Sequence, residues 1–445
     1  MSFSARELKT PVSLLAVHRH QPGRWPFLLE SSAGSPQQAR WSLLLRVDNQ
    51  QPSVLPAASS DEDCRRFFAA LDSFPPCFGH KAARADLPFQ GGWFLYLGYE
   101  LAAAFSPGLN LPPADDGLPL AYAQRCRSAL LHDRLNGRFW LVAENAPLLE
   151  EAHKDLRDCP KPEDQVPQVV FSAVRSDPEE NYALGVERVH EHIRCGDVAQ
   201  VNLSRGWRAV ADQAPDAAAL YARLIRSSPA PFGALARLPA GTIVSSSPER
   251  FIKIDDSWLE ARPIGGTRPR SADAQRDRAL REELMSSVKE RAEHAMLVDL
   301  ARGDMSRVCR AGSIVVDELM VMESYAHLHH VVSSLRGRLR EDASLFDVVR
   351  ATFPGGSITG CPKRRCMEII AALEAGGRGH YTGALGYLSN NGNLDLSILI
   401  RTLLVRGDEI HFRTGAGIVQ GSEAAAEIAE TEIKARGLLE AIGHE

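Results

Sequence analysis

The chain has 445 residues, 44% apolar and 24% charged, with 51 Lys and Arg against 56 Asp and Glu for a net charge of −5. That composition is ordinary for a globular protein and leaves room for two or three domains or one large one. It argues against nucleic acid as a partner, which requires a basic surface, and no apolar run approaches the roughly 18 residues a membrane helix needs.

The opening MSFSARELKTPVSLLAV lacks an apolar core followed by a small-residue cleavage site. The eight cysteines are scattered without a CxxC pair, a pattern expected of reduced thiols in a cytoplasmic protein. Residues 1–165 read as short strands and turns, with WSLLLRV, GWFLYLGYELA, SALLHD and GRFWLVAE as apolar runs punctuated by Gly, Pro and Asp. Residues 159–168 are polar and proline-rich and read as a linker, separating that N-terminal region from a second region over 170–445.

The second region starts with a helix signal at DPEENYALGVERVHEHIRCGD. AQVNLSRGWRAV, FGALARL and GTIVSSS then read as strands, and about 273–302 as one helix. GSIVVDELMVM is a further strand, followed by helices around LFDVVRATF and KRRCMEIIAALEA. Three strand-like runs, YTGALGYLS, LDLSILIRTLLVRG and EIHFRTGAGIV, precede a last helix at SEAAAEIAETEIKARGLLEAI. Strands joined by short turns such as NNGN, with helices between, predict an α+β fold rather than a Rossmann alternation. The expectation is one large unit with the N-terminal part packed into it.

Several stretches carry chemistry. In SSSPERFIKIDDSWLEARPIGGTRPR, Glu249 stands sixteen residues before Gly265, and the pair Gly265–Gly266 is set among Arg262, Arg268 and Arg270. This suggests a pocket for a small dianion, with the acid used for proton transfer. Glu290 and Glu293, three apart on a helix, share a face, as do Glu427, Glu430 and Lys434. Each set is either a solvated ion-pairing face or, jointly, an oxygen-donor site for Mg²⁺. FPGGSITGCPKRR, with Lys363, is either a helix-entry turn or an anion cradle, and TGAGIV is a similar glycine turn. In LHHVVSSL, the adjacent His329 and His330 must face opposite ways on a strand, so one at most lines a given pocket.

Taken in order, QVNLSRGW, SPERF, RPIGGTRPR, ERAEHAMLVDLARGD, HHVVSSL, FPGGSITGCPK, YTGALGYL, LDLSILIRT, GAGIV and EIAETEIKA resemble the chorismate-utilising enzymes, among them the anthranilate, aminodeoxychorismate, isochorismate and salicylate synthases. The resemblance implies a large anthranilate-synthase-like α/β sandwich of mixed, mainly antiparallel sheets with helices outside. It implies that Glu249 is the general acid at the chorismate C4 hydroxyl, that His330 and Ser357 line the ring, and that Glu293 and Glu430 bind Mg²⁺ with Glu290 and Glu427 nearby. Tyr381, Arg401 and the Gly415, Ala416 and Gly417 backbone match the clamp on the enolpyruvyl carboxylate, and Lys434 a position at the ring-carboxylate end. Gly265 stands where members with a side-chain nucleophile or base carry lysine, which excludes a lysine adduct and leaves ammonia as the nucleophile. No cysteine has a nucleophile-elbow context, so ammonia is expected from a separate glutamine amidotransferase subunit. DVAQVNLS, APFGALARL and LPFQGG resemble the aminodeoxychorismate group, which serves p-aminobenzoate and folate synthesis, whereas PIGGTRPR points to the anthranilate group; the first is favoured. FLLESS, with Glu30 and Ser31, resembles a tryptophan-binding element, either a feedback site or a structural remnant.

Overall fold

The computed structural model describes residues 3–34, 39–48, 50–71, 84, 86–157, 159, 171–324 and 328–444. Nearly all of the proline-rich stretch read as a linker lies outside the described residues.

Two antiparallel sheets face each other. The larger runs Ser4–Leu8, Arg138–Ala143, Ser128–Asp133, Trp41–Arg46, Phe27–Glu30, Phe232–Leu238, Gly241–Ser247, Thr402–Arg406, Glu409–Val419, Gln200–Ala211, Gly360–Cys361, with Phe171–Ser176 also on Gln200–Ala211. The second runs Ile264–Pro269, Leu328–Arg338, Trp258–Ala261, Arg250–Asp255, Leu394–Ile398, Ala384–Ser389, Gly92–Leu97, Ala121–Cys126, Ser53–Leu55, with Val315–Ser324 also on Leu328–Arg338. Strands from before residue 165 therefore sit in both sheets. Phe27–Glu30 pairs with Phe232–Leu238, and Gly92–Leu97 pairs with Ala384–Ser389.

Between the sheets lies a core that includes Phe27, Leu45, Phe94, Tyr96, Ile243 and Leu404. The rings of Phe27 and Phe94, one from each sheet, stack at 3.8 Å. The outer faces are covered by helices, Ala217–Ser227 and Ala424–Ala441 on the larger sheet and Asp61–Ala69, Val288–Ser306 and Leu345–Thr352 on the other. Strands covered on both faces bury successive side chains, all but Trp41 and Arg406 in these two, which is why WSLLLR and TLLVR read as continuous apolar runs instead of alternating ones.

Two elements differ from the sequence expectation. The helix predicted over about 273–302 is two helices, Ala274–Ser286 and Val288–Ser306. Ser287 between them is extended, and its side chain accepts the Glu290 N–H, capping the second helix. The run LDLSILIRTLLVRG is also two strands: Leu394–Ile398 belongs to the second sheet and Thr402–Arg406 to the larger one. The chain changes sheets at 399–401, where Arg401 takes a left-handed φ of 51°. A parallel switch occurs between Gly241–Ser247 and Arg250–Asp255, with Glu249 in the step.

Candidate active site

The two sheet switches are laced together by their backbones. Ile398 N–H donates to the Glu249 carbonyl at 3.0 Å, and Ser246 N–H to the Arg401 carbonyl at 3.1 Å. An acid and a guanidinium from distant parts of the chain are thereby fixed at one junction.

Glu249 is buried, and burial pushes its carboxyl up to about 7 against the opposing pull of a Ser357 hydrogen bond, the Ile264 backbone and the Lys434 charge. Ser357 Oγ donates to Glu249 Oε1 at 2.6 Å. Arg401 has no acidic partner among the described residues, and burial brings its guanidinium down to about 10. His330 is buried at 4% exposure; burial, then the Arg401 and Lys434 charges, drive its ring down to about 3, so it stays neutral at working pH. Its Nδ1 meets Thr267 Oγ1 at 2.9 Å, and the Gly266 backbone bonds the ring. His329 faces the other way, to Ser324 and Asp277, as the strand alternation requires.

The glycine pair makes this contact possible. Pairing between Ile264–Pro269 and Leu328–Arg338 shifts register between Gly265 and Thr267. Gly266 bulges with φ 72°, and a Cβ there would lie 2.9 Å from Glu290 Oε2.

On the adjoining wall, Lys434 Nζ donates to the Gly415 carbonyl at 2.9 Å and pairs with Glu430 at 2.7 Å. A Cβ on Gly415 would meet the Tyr381 hydroxyl at 2.8 Å, so the phenol rests against that backbone. Tyr381 is buried, and its phenol rises to about 12 through burial. Ala416 points into an apolar cluster with Val201 and Leu203, leaving the backbone as its contribution. Gly417 is a close approach, since a Cβ there would fall 2.2 Å from Gln200 Nε2.

The four glutamates read as a metal set are oxygen donors of the kind Mg²⁺ takes. Glu290 is bonded to Arg268 at 3.0 Å and Glu430 to Lys434. Among the described residues no group of three or more His, Cys, Asp or Glu is gathered for a metal. The donor chemistry suits Mg²⁺, and the ion would compete with Arg268 and Lys434 to assemble it.

Two readings of the basic residues are corrected. Arg262, Arg268 and Arg270 do not form a dianion pocket, because each is neutralised: Arg262 by Glu318 and Glu323, Arg268 by Glu283 and Glu290, and Arg270 by Asp277. Nor does Lys363 serve an anion cradle, since its ammonium is taken by Asp304 at 2.6 Å and the Thr352 carbonyl at 2.9 Å. The same glycine-rich turn matters through Ser357 instead.

The chorismate binding enzyme family model matches residues 29–440. The chain belongs to that family. Among its relatives, aminodeoxychorismate synthase component 1 of Escherichia coli is 39% identical over 80% of this chain and 77% of its own. An anthranilate synthase component I-like protein of Synechocystis is 38% identical over 84% and 78%. The crystal structure of anthranilate synthase component I from Streptococcus pneumoniae superposes with a TM-score of 0.77 at 27% identity, covering 89% of this chain and 92% of that one. As a chorismate-utilising enzyme, the protein gathers Glu249, Ser357, His330, Arg401, Lys434, Tyr381 and Gly415 around neighbouring walls. Thr267, which holds His330, and the Ile264 N–H, which reaches Glu249, carried no sequence signal beyond their place beside the glycine pair.

Away from these residues, a cavity of about 550 Å³ is lined by Glu30, Ser31, Trp41, Phe232, Tyr387 and Asp395, among others. Tyr221 hydroxyl donates to Glu30 Oε2 at 3.1 Å, and burial raises the Glu30 carboxyl.

Proposed function

We propose that the enzyme adds ammonia to chorismate at C4, releasing the hydroxyl as water and forming 4-amino-4-deoxychorismate, the reaction of an aminodeoxychorismate synthase component I. The observation that carries this reading is the Glu249–Arg401 junction: a carboxyl held near 7 on one sheet switch, and on the switch bonded to it an arginine with no acidic partner among the described residues.

Glu249 acts in its protonated form, giving its proton to the departing C4 oxygen, while Ser357 fixes the carboxyl and His330 lines the ring as a neutral imidazole. Arg401 takes the enolpyruvyl carboxylate bidentately, beside the Tyr381 hydroxyl and the 415–417 backbone, and Lys434 lies toward the ring-carboxylate end. Glu293 and Glu430, with Glu290 and Glu427, would hold Mg²⁺, which when bound neutralises the ring carboxylate. Gly265 offers no side-chain amine, so free ammonia is the nucleophile, supplied by a separate glutamine amidotransferase subunit. The motifs DVAQVNLS and APFGALARL support C4 over C2. PIGGTRPR and the anthranilate-synthase-like relative favour the second reading, amination at C2 to anthranilate. We assign the cavity at Glu30 and Ser31 to an aromatic amino acid, tryptophan, for which 550 Å³ leaves ample room.

The test is the product formed from chorismate, Mg²⁺ and ammonium salt. A non-fluorescent amino-chorismate that added lyase converts to p-aminobenzoate supports the proposal. Fluorescent anthranilate with pyruvate would move the enzyme to C2 chemistry.

A further inference from the structure

His294 occupies the place that a side chain at position 265 would take. A Cβ built on Gly265 would lie 2.6 Å from His294 Nδ1 and 3.3 Å from its Cβ and Cγ, an overlap that close packing does not admit. The imidazole is fully buried. Its Nε2 contacts Ser333 Oγ at 2.6 Å, and that oxygen also accepts the Met320 N–H at 2.9 Å, so the ring is pinned from behind. Nδ1, the nitrogen on the Gly265 side, has no hydrogen-bond partner among the described residues. Such a buried polar atom is costly to leave unmatched.

Position 265 sits among the reacting groups. The preceding residue, Ile264, sends its N–H to Glu249, and the following one, Gly266, bonds His330. The residues on either side of Gly265 thus hold the acid and the ring-lining imidazole, while Gly265 itself faces Nδ1 of a second imidazole.

We propose that His294 is a specificity-determining residue that, paired with Gly265, sets which nucleophile the site accepts. The imidazole takes the room that a side-chain amine at 265 would need, and its unmatched Nδ1 offers a hydrogen-bonding site that a small nucleophile such as ammonia can use. Ammonia both donates and accepts hydrogen bonds, so it satisfies Nδ1 in either tautomer. When Nδ1 accepts an ammonia N–H, the nitrogen lone pair stays free to face the ring. This inference rests on the reading that free ammonia is the nucleophile.

The experiment is steady-state kinetics on the full chain with ammonium salt as nitrogen source, using His294→Ala, Gly265→Ala and the double variant, each checked for folding by thermal melting. His294→Ala is expected to raise KM for ammonium about tenfold while KM for chorismate stays within about twofold. Gly265→Ala is expected to lower kcat/KM for ammonium about tenfold with His294 present and less than about threefold with His294→Ala. If His294→Ala does not fold, His294→Asn, smaller and polar, takes its place with the same expected coupling. Strictly additive losses, or a KM for ammonium that His294→Ala leaves alone, would overturn the inference while the amination reading stands. A wild-type enzyme that consumes chorismate without taking up nitrogen overturns the amination reading and this inference with it.

Discussion

Burial decides the chemistry at single residues. The same desolvation that lifts Glu249 to about 7 pushes His330 to about 3 and Arg401 to about 10. Of these three, Glu249 alone changes charge between pH 5 and 9. A general acid works in its protonated form, populated below its pKa, so turnover at fixed free ammonia is expected to fall as pH rises through about 7. Ser357 bonds the ionised carboxyl and lowers its pKa. Ser357→Ala should therefore move this alkaline limb to higher pH, which a pH–rate profile of the variant reads directly. An unmoved or downward-shifted limb would mean that the titrating group is not Glu249. SPERF marked Glu249 as a candidate, and the structure shows it to be a buried carboxyl, whereas Ser357, which bonds it, lay in a turn that reads equally well as an anion cradle.

At the scale of elements, apolar runs showed where strands are but not which sheet each one joins. LDLSILIRTLLVRG is apolar throughout, because strands covered on both faces lose the alternation that would mark a boundary. The break at 399–401 is a tertiary event, a chain crossing between sheets, and it is what brings Arg401 to Glu249. The helix break at Ser287 escaped for a different reason: a single serine does not disturb a 3.6-residue pattern, although it caps well. Ser287 accepts the Glu290 N–H at the start of the helix that carries Glu290, Glu293 and His294. Ser287→Ala is expected to lower unfolding stability by about 1 kcal/mol in urea titration. No change would show that the second helix holds its start without the cap. The three arginines of the glycine stretch illustrate the converse limit, since their neutralising acids come from other elements, the two following helices for Arg268 and Arg270 and the strand Val315–Ser324 for Arg262, and no spacing rule discloses them.

Across the whole molecule, both sheets are built from both halves of the chain, and the core between them joins Phe27 and Phe94 to Leu385 and Leu404. The α+β character and the packing of the N-terminal part into the rest were readable from run lengths and turns. The interleaving was not, because antiparallel partners such as Phe27–Glu30 and Phe232–Leu238 lie some two hundred residues apart. Residues 170–445 expressed alone should lack a cooperative melting transition, since their sheets would expose raw edges and an open core. A sharp melt with native-like circular dichroism would contradict that. The proposed chemistry sits at the junction where the chain twice changes sheets and depends on the acid placed there. The most direct test is Glu249→Gln, assayed for chorismate binding by calorimetry and for turnover with ammonium. Binding close to wild type with turnover reduced at least about a hundredfold is the predicted result. Turnover retained at the wild-type rate would contradict the assignment of Glu249 as the general acid.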